Sequence, residues 1–267
     1  MTTKIDAIKA NFETATAALM SQLGNTLTIF STDIVAEVKA GQQRPIAARG
    51  DDEQLSLDNA LFDSAPVAAV PHHAEFEPLL DVGHRFLLAA NGLFVEIRRP
   101  WVHIIQPIAQ LAEAGPRVPY GSMEPKLEFA FGRLSAAAPH FKRFADAAAE
   151  ALPNEHAAWL VWNDTTKELE YRAVNVTSAT PNSIAIDRPA LADHESLAID
   201  LHSHGADKAY FSLDDDADDA GEVKIAGVIG GIGTDTPSVA FRLCALGKVL
   251  TLRVPVEAFF PATEKAA

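Results

Sequence analysis

The sequence predicts an α/β fold in which a mixed-sheet sandwich follows a smaller α+β domain. Three observations predict it: an apolar helical pattern near the N-terminus, a hairpin signal at residues 84–98, and a helix followed by several strand-like runs after residue 139. We place the boundary after residue 135. This gives an N-terminal α+β domain of unknown role, residues 1–135, and a C-terminal domain, residues 136–267.

The first predicted element is an amphipathic helix over residues 3–23. Apolar side chains recur there at spacings of three to four residues, including Ile5, Ile8 and Phe12, and Gly24 suits a helix C-cap. Because the polar face is not strongly basic, we interpret the helix as packed within its domain and not as lying on a membrane surface.

A β-hairpin is the clearest signal in the N-terminal domain. Two β-rich runs, 84–90 and 93–98, are joined by Asn91-Gly92, the pair best suited to a type I′ turn. A further strand is predicted at 102–106. Proline and glycine clusters predict loops at 41–53 and 71–78 and a linker or exposed loop between Gly115 and Pro125.

The C-terminal domain begins with an alanine-rich helix at 139–151, which stops before Pro153. Six strands are predicted after it, at 157–163, 169–176, 197–201, 223–230, 239–246 and 249–254. Glycines 227, 230, 231 and 233 are interpreted as strand and turn residues because no Lys-Ser/Thr follows them, as a phosphate-binding loop would require.

Composition limits the classes of function. The formal net charge is -14, from 36 acidic and 22 basic side chains, which disfavours nucleic-acid binding. No run of roughly 20 apolar residues predicts a membrane span, and the N-terminus has no secretory pattern. The single cysteine, Cys244, leaves no intramolecular disulfide and is interpreted as a small buried side chain. We therefore expect a cytoplasmic protein.

The informative segment of the chain is Ile199–Asp216. His202 and His204, one residue apart on an extended chain, project to the same face and can chelate one ion. A carboxylate from the run Asp214–Asp216 would supply a third ligand and leave tetrahedral Zn²⁺ one position for water. Glu155, at the predicted junction of helix and strand, is the candidate general base.

The pattern His202-x-His204, seven residues, Ser212-x-x-Asp215 resembles the signature of the JAMM metalloproteases of the JAB/MPN family. The resemblance implies a cytidine-deaminase-like sandwich with a Zn²⁺ cofactor held by His202, His204 and Asp215. It implies Glu155 as the acid and base, and Ser212 as a donor to the oxyanion.

Upstream, the sequence departs from the bacterial family pattern around Glu155. Ala158 and Trp162 stand where that pattern has glycine. The departures bear on local packing, since the glutamate is retained.

A narrower resemblance covers residues 83–101 and 211–219, which are similar to the PRTRC system protein A family of bacterial plasmids and mobile elements. That family occurs beside E1-like, E2-like and ubiquitin-like proteins. The resemblance implies a zinc-dependent isopeptidase or amidohydrolase acting on a ubiquitin-like tail or conjugate, with the ubiquitin-like protein and E1-like or E2-like proteins as partners.

Several alternatives remain open at this stage. The chain could be a catalytically silent JAB-fold module that binds a ubiquitin-like partner, a zinc hydrolase of a small-molecule amide, or a plasmid-maintenance component whose N-terminal domain does the binding. His72 and His73 could suggest a second metal, but they lack partner spacing and are interpreted as surface residues. His156, beside the proposed base, is either a neighbour of the site or exposed. The oligomeric state is not indicated.

Overall fold

The computed structural model describes residues 4–42, 57, 60, 63–111 and 118–260, and within the first helix it describes side chains for residues 4–23 and 25. The chain separates into two compact units, Met1–Asp63 and Ser64–Ala267. The predicted loop at 41–53 lies mostly outside the described residues.

The first unit contains one long helix, α1 (Lys4–Gln42). The predicted end at Gly24 is wrong, because one glycine inside a helix costs only about 1 kcal/mol relative to alanine, too little to stop 39 residues. The apolar face was predicted to be packed, yet Ile5 is 75% exposed and Phe12 71% exposed. None of the described helices combines the length and apolar character needed to cross a membrane.

The second unit opens with a five-stranded sheet ordered as in the sequence. Its strands are β1 (Val67–Ala69), β2 (Gly83–Ala89), β3 (Gly92–Arg99), β4 (Val102–Gln110) and β5 (Lys126–Phe129). The predicted hairpin is confirmed, since β2 and β3 pair antiparallel with Ala89 opposite Gly92. β4 extends beyond the predicted strand, and the short edge strands β1 and β5 were not predicted.

The segments predicted as loops on either side of this sheet are irregular where they are described. Residues 71–78 form neither helix nor strand. Of the predicted linker, residues 112–117 lie outside the described part of the chain. The Gly121 N–H donates to the Val70 carbonyl, and the Gly121 carbonyl accepts from the Ala90 N–H. Those bonds tie the later part of the segment to the sheet.

One carboxylate is fully buried in this sheet. Glu96, 0% exposed, accepts hydrogen bonds from the Arg85 Nε at 2.6 Å and from the backbone N–H of Leu79 at 2.9 Å. The His103 Nε2 lies 2.8 Å from the Glu96 Oε1, the oxygen that also accepts from Leu79. The partners compensate the cost of burying the charge.

A single helix, α2 (Ala138–Ala151), leads into the second sheet and confirms the prediction for 139–151. Phe141, Phe144, Ala145 and Ala148 face the core at helical spacing. The same core contains Ile97 of the first sheet and Leu201 of the second. The two sheets therefore share one core, and the division at residue 135 into separate domains stays a prediction.

The second sheet has six strands in the order β13-β12-β11-β10-β6-β7. Their bounds are β6 (Ala157–Asn163), β7 (Glu168–Ala173), β10 (Glu195–Ser203), β11 (Val223–Gly230), β12 (Ser238–Ala245) and β13 (Lys248–Leu252). Among the described strands of this second sheet, β10 and β11 are the only neighbours that run parallel. The mixed sheet agrees with the predicted fold class.

A separate hairpin interrupts this sheet. The strand predicted at 169–176 is confirmed as far as Ala173, but its predicted end is wrong, because β7 ends there and a second strand starts at Asn175. That strand, β8 (Asn175–Thr180), pairs with β9 (Ser183–Asp187) as a two-stranded sheet. A continuous run of strand-forming residues does not show where the chain leaves one sheet for another. The β8–β9 hairpin was therefore not predicted.

Candidate metal centre

The predicted site residues come from three elements. His202 lies near the end of β10, and His204 follows one residue after that strand. Ser212 caps the short helix α3 (Leu213–Asp219), and Asp215 lies in its first turn. Glu155 lies in the connection between α2 and β6. All five residues line one cleft of about 400 Å³.

Two histidines and one aspartate offer ligand atoms to a common point. The Nε2 atoms of His202 and His204 are 3.2 Å apart, and the His202 Nε2 is 3.5 Å from the Asp215 Oδ1. One ligand atom from each residue lies within 4.8 Å of the others. Zinc bonds of about 2.0–2.1 Å at tetrahedral angles would separate such atoms by roughly 3.3–3.4 Å. The three side chains therefore fit a zinc ion.

The histidines are held in the form that binds metals. The Nδ1 of His204 lies 3.3 Å from the carbonyl oxygen of Lys208, so that nitrogen carries the proton and the Nε2 keeps its lone pair. Burial lowers the pKa of His202, with the Asp215 charge opposing this effect. A lowered pKa keeps the imidazole neutral near pH 7, as a ligand must be.

Asp215 and Ser212 form a reciprocal capping box. The Asp215 Oδ2 accepts from both the backbone N–H and the hydroxyl of Ser212, each at 2.7 Å, and the Asp215 N–H donates to the Ser212 Oγ at 3.1 Å. One carboxylate oxygen is thus occupied by the cap, and the other faces His202. The Ser212 hydroxyl proton is directed at Asp215, so donation to an oxyanion would require it to turn.

Glu155 is a buried carboxyl, 7% exposed. Burial, and next the charge of Asp215, raises its pKa from 4.5 to about 7. A carboxyl with a pKa near the working pH can both accept and return a proton. A cation bound at the three ligands would lower this pKa again.

Backbone contacts fix Glu155 beside the histidines. The Ser203 N–H donates to the carbonyl of His156, and the His156 N–H donates to the Ser203 Oγ at 2.9 Å. The Glu155 N–H donates to the Thr180 carbonyl at 2.9 Å. Ser203, between the two histidines and fully buried, was not singled out from the sequence, although its place in His-Ser-His could have indicated it.

The β8–β9 hairpin forms one wall of the cleft. Residues 182–186 line it opposite α3, together with Tyr210, whose ring packs edge-on against His204 at 4.5 Å between centroids. Among the described residues, β9 pairs with β8 alone. Its outer edge therefore offers unpaired backbone groups along the cleft.

Two segments of the chain match models of known protein families. Residues 137–244 match the model of prokaryotic homologs of the JAB domain. This segment of the C-terminal half is similar to the prokaryotic JAB domain. Residues 55–130 match a domain of unknown function, DUF2016. A comparison with curated proteins gave no match.

The JAB match spans all five predicted site residues and the whole of α2, β6 and β10. Ala158 and Trp162, which replace glycines of the bacterial pattern, are both buried in β6. The chain accommodates both side chains inside its core, so these departures leave the cleft intact. The predicted fold class is confirmed, while the catalytic and ligand roles of the individual residues stay predictions.

Several residues outside the candidate site were interpreted as structural or exposed, and the structure tests these interpretations. Cys244 is buried, and burial raises its pKa to about 12. His72 and His73 are exposed. His156 is half-buried beside Phe144, so the alternative that it is exposed is wrong. Gly227 lies within β11 against the Phe241 ring, as a strand residue.

Proposed function

We propose that the chain is a zinc-dependent isopeptidase of the JAMM type. The observation that carries this proposal is the convergence of His202, His204 and Asp215 at distances suited to one zinc ion, with Glu155 lining the same cleft. A prokaryotic JAB domain supports the reaction class, since such domains often act as metalloproteases.

The reaction would be hydrolysis of an amide. Zinc bound at the three ligands would supply a Lewis acid for the scissile carbonyl and for a water molecule. Glu155 would accept a proton from the water as its oxygen adds to the carbonyl carbon. As the C–N bond breaks, Glu155 would return that proton to the leaving amine, and Ser212 would donate to the oxyanion after turning from Asp215.

The proposed substrate is the C-terminal tail of a ubiquitin-like protein, free or conjugated. The exposed edge of β9 supports this choice, because an extended tail can add to an unpaired strand edge through its backbone. The resemblance of residues 83–101 and 211–219 to the PRTRC system protein A family supports it as well, and with it E1-like or E2-like partners and a cytoplasmic location.

The decisive variant is Glu155→Gln, which keeps the shape of the side chain and removes the base. The probe is a fluorogenic amide at the C-terminus of a ubiquitin-like protein that ends in Gly-Gly. We expect turnover to fall at least 100-fold with zinc content still near one per chain. Glu150→Gln, an exposed glutamate at the end of α2, is the matched control and should keep wild-type turnover.

The outcomes separate the alternatives. Full turnover by the Glu155→Gln variant would refute its role as the base. Zinc binding and capture of the ubiquitin-like protein without any turnover by wild type would favour a silent binding module. Turnover of a small acyl amide, with none of the protein probe, would favour a small-molecule hydrolase. Loss of zinc from His204→Ala, but not from wild type, would support the ligand set.

A further inference from the structure

The helix that carries Asp215 has no apolar anchor. The seven residues of α3 are one leucine, five aspartates and one alanine. Leu213 is 85% exposed and the only buried residue is Asp219. Isolated helices of this length are unstable, and neighbouring carboxylates repel. Something other than hydrophobic packing must hold it.

Two cations of the central sheet bind this helix from beneath. Lys224 of β11 is 1% exposed, and its Nζ lies 2.9 Å from an oxygen of Asp219 and 3.0 Å from an oxygen of Asp218. The same Nζ lies 3.0 Å from an oxygen of Asp200, two residues before His202 on β10. Lys224 thus joins the metal-binding strand to the metal-binding helix.

Arg242 of β12 spans the helix from one end to the other. Its guanidinium lies 3.9 Å from the centre of the Phe211 ring, just before α3. It pairs with Asp216 at 2.5 Å in the first turn and with Asp219 at the last residue. Register explains the arrangement: Arg242 lies opposite Ala226, so it shares the sheet face with Lys224, two residues away.

We propose that Lys224 and Arg242 are positioning residues of the metal centre. They hold α3 against the sheet so that the Asp215 Oδ1 stays beside the His202 Nε2. Neither cation touches the three ligand atoms in the described contacts, and each acts through aspartates of the helix. The zinc affinity depends on where Asp215 lies, since a third ligand must be within bonding distance before the ion arrives.

The inference rests on the proposed zinc site, so the experiment separates the two. Arg242→Gln is compared with wild type for zinc affinity, by competition with a chromophoric chelator. It is also compared for amide hydrogen exchange of residues 212–219 in metal-free protein. We expect zinc affinity to fall at least tenfold and the helix amides to exchange at least tenfold faster. Arg242→Lys, which keeps the charge, should recover part of both.

A matched control is Arg172→Gln. Arg172 pairs through two nitrogens with Glu195, at 2.5 and 3.0 Å, at the start of β10 and away from α3. Its loss should lower stability while leaving zinc affinity and the exchange of 212–219 at wild-type levels. Asp216→Asn removes one exposed partner of Arg242 and tests the same link if Arg242→Gln does not fold.

The results discriminate cleanly. Wild-type affinity and exchange in Arg242→Gln, or equal losses in Arg172→Gln, would overturn the positioning role. Absence of zinc binding by wild type would overturn the proposed function, while faster exchange confined to 212–219 in Arg242→Gln would still support the anchoring of α3.

Discussion

Replacing Glu155 by glutamine should stabilise the metal-free protein at neutral and alkaline pH. Burial raises the pKa of this carboxyl from 4.5 to about 7, so the folded protein favours the protonated form. Below pH 4.5 the group is protonated whether the chain is folded or unfolded, and it costs nothing. As the pH rises from 4.5 to 7 the unfolded chain ionises first, and stability is lost.

The pKa difference sets the size of the effect. A tenfold change in an equilibrium corresponds to about 1.4 kcal/mol, so a pKa raised from 4.5 to about 7 costs on the order of 3 kcal/mol above pH 7. Glutamine carries no charge and avoids this cost. We therefore expect Glu155→Gln to exceed wild type by about 2–3 kcal/mol at pH 8 and to equal it at pH 4.

Urea unfolding with a metal chelator present, repeated from pH 4 to pH 8, measures this difference. Glu150→Gln should follow wild type throughout, because that side chain is exposed. Saturating zinc should reduce the gap, since a nearby cation favours the carboxylate. Equal stabilities at pH 8, or a gap of the same size at pH 4, would refute a desolvated base at this position.

Three further predictions concern other residues. Ser212→Ala should lower the free energy of unfolding by about 1 kcal/mol and weaken zinc binding, because it removes the cap that orients Asp215. A wild-type zinc affinity, measured by competition with a chromophoric chelator, would contradict this. Glu96→Gln should lower the free energy of unfolding, measured with urea, by about 3 kcal/mol, because Arg85 and the buried His103 lose a charged acceptor; a loss below 1 kcal/mol would count against a structural ion pair. Cys244 should not react with a thiol reagent at pH 8 until urea unfolds the chain, because burial raises its pKa to about 12; rapid labelling of the native protein would exclude the buried position.

The sequence predicted the hairpin, α2 and the central strands because each has a strong local signal. Asn91-Gly92 indicates a turn by itself, and the alanine-rich run that stops before Pro153 indicates a helix. The end of α1 was missed because Gly24 alone does not stop a helix. Local signals therefore located elements better than their ends.

The sequence predicted those residues of the candidate site that lie close together in the chain or match the spacing of a known motif. The lysine and arginine beneath α3 were missed because their partners lie in other elements, mostly in α3 itself. Lys224 sits in a run that reads as an ordinary buried strand, and nothing local marks it as the partner of Asp200. The β8–β9 wall was missed for the same reason, since strand pairing is set by tertiary contacts.

The hydrogen bond from the Glu155 N–H to the Thr180 carbonyl has a mechanical consequence. Thr180 ends β8 at the hairpin turn, so this hydrogen bond joins the outer wall of the cleft to the backbone of Glu155. We expect a bulky substrate that displaces the hairpin outward to displace Glu155 as well, whereas an extended substrate that lies along β9 would leave Glu155 in place. This backbone hydrogen bond would then favour slender chains over bulky ones as substrates, without any side chain that contacts the substrate.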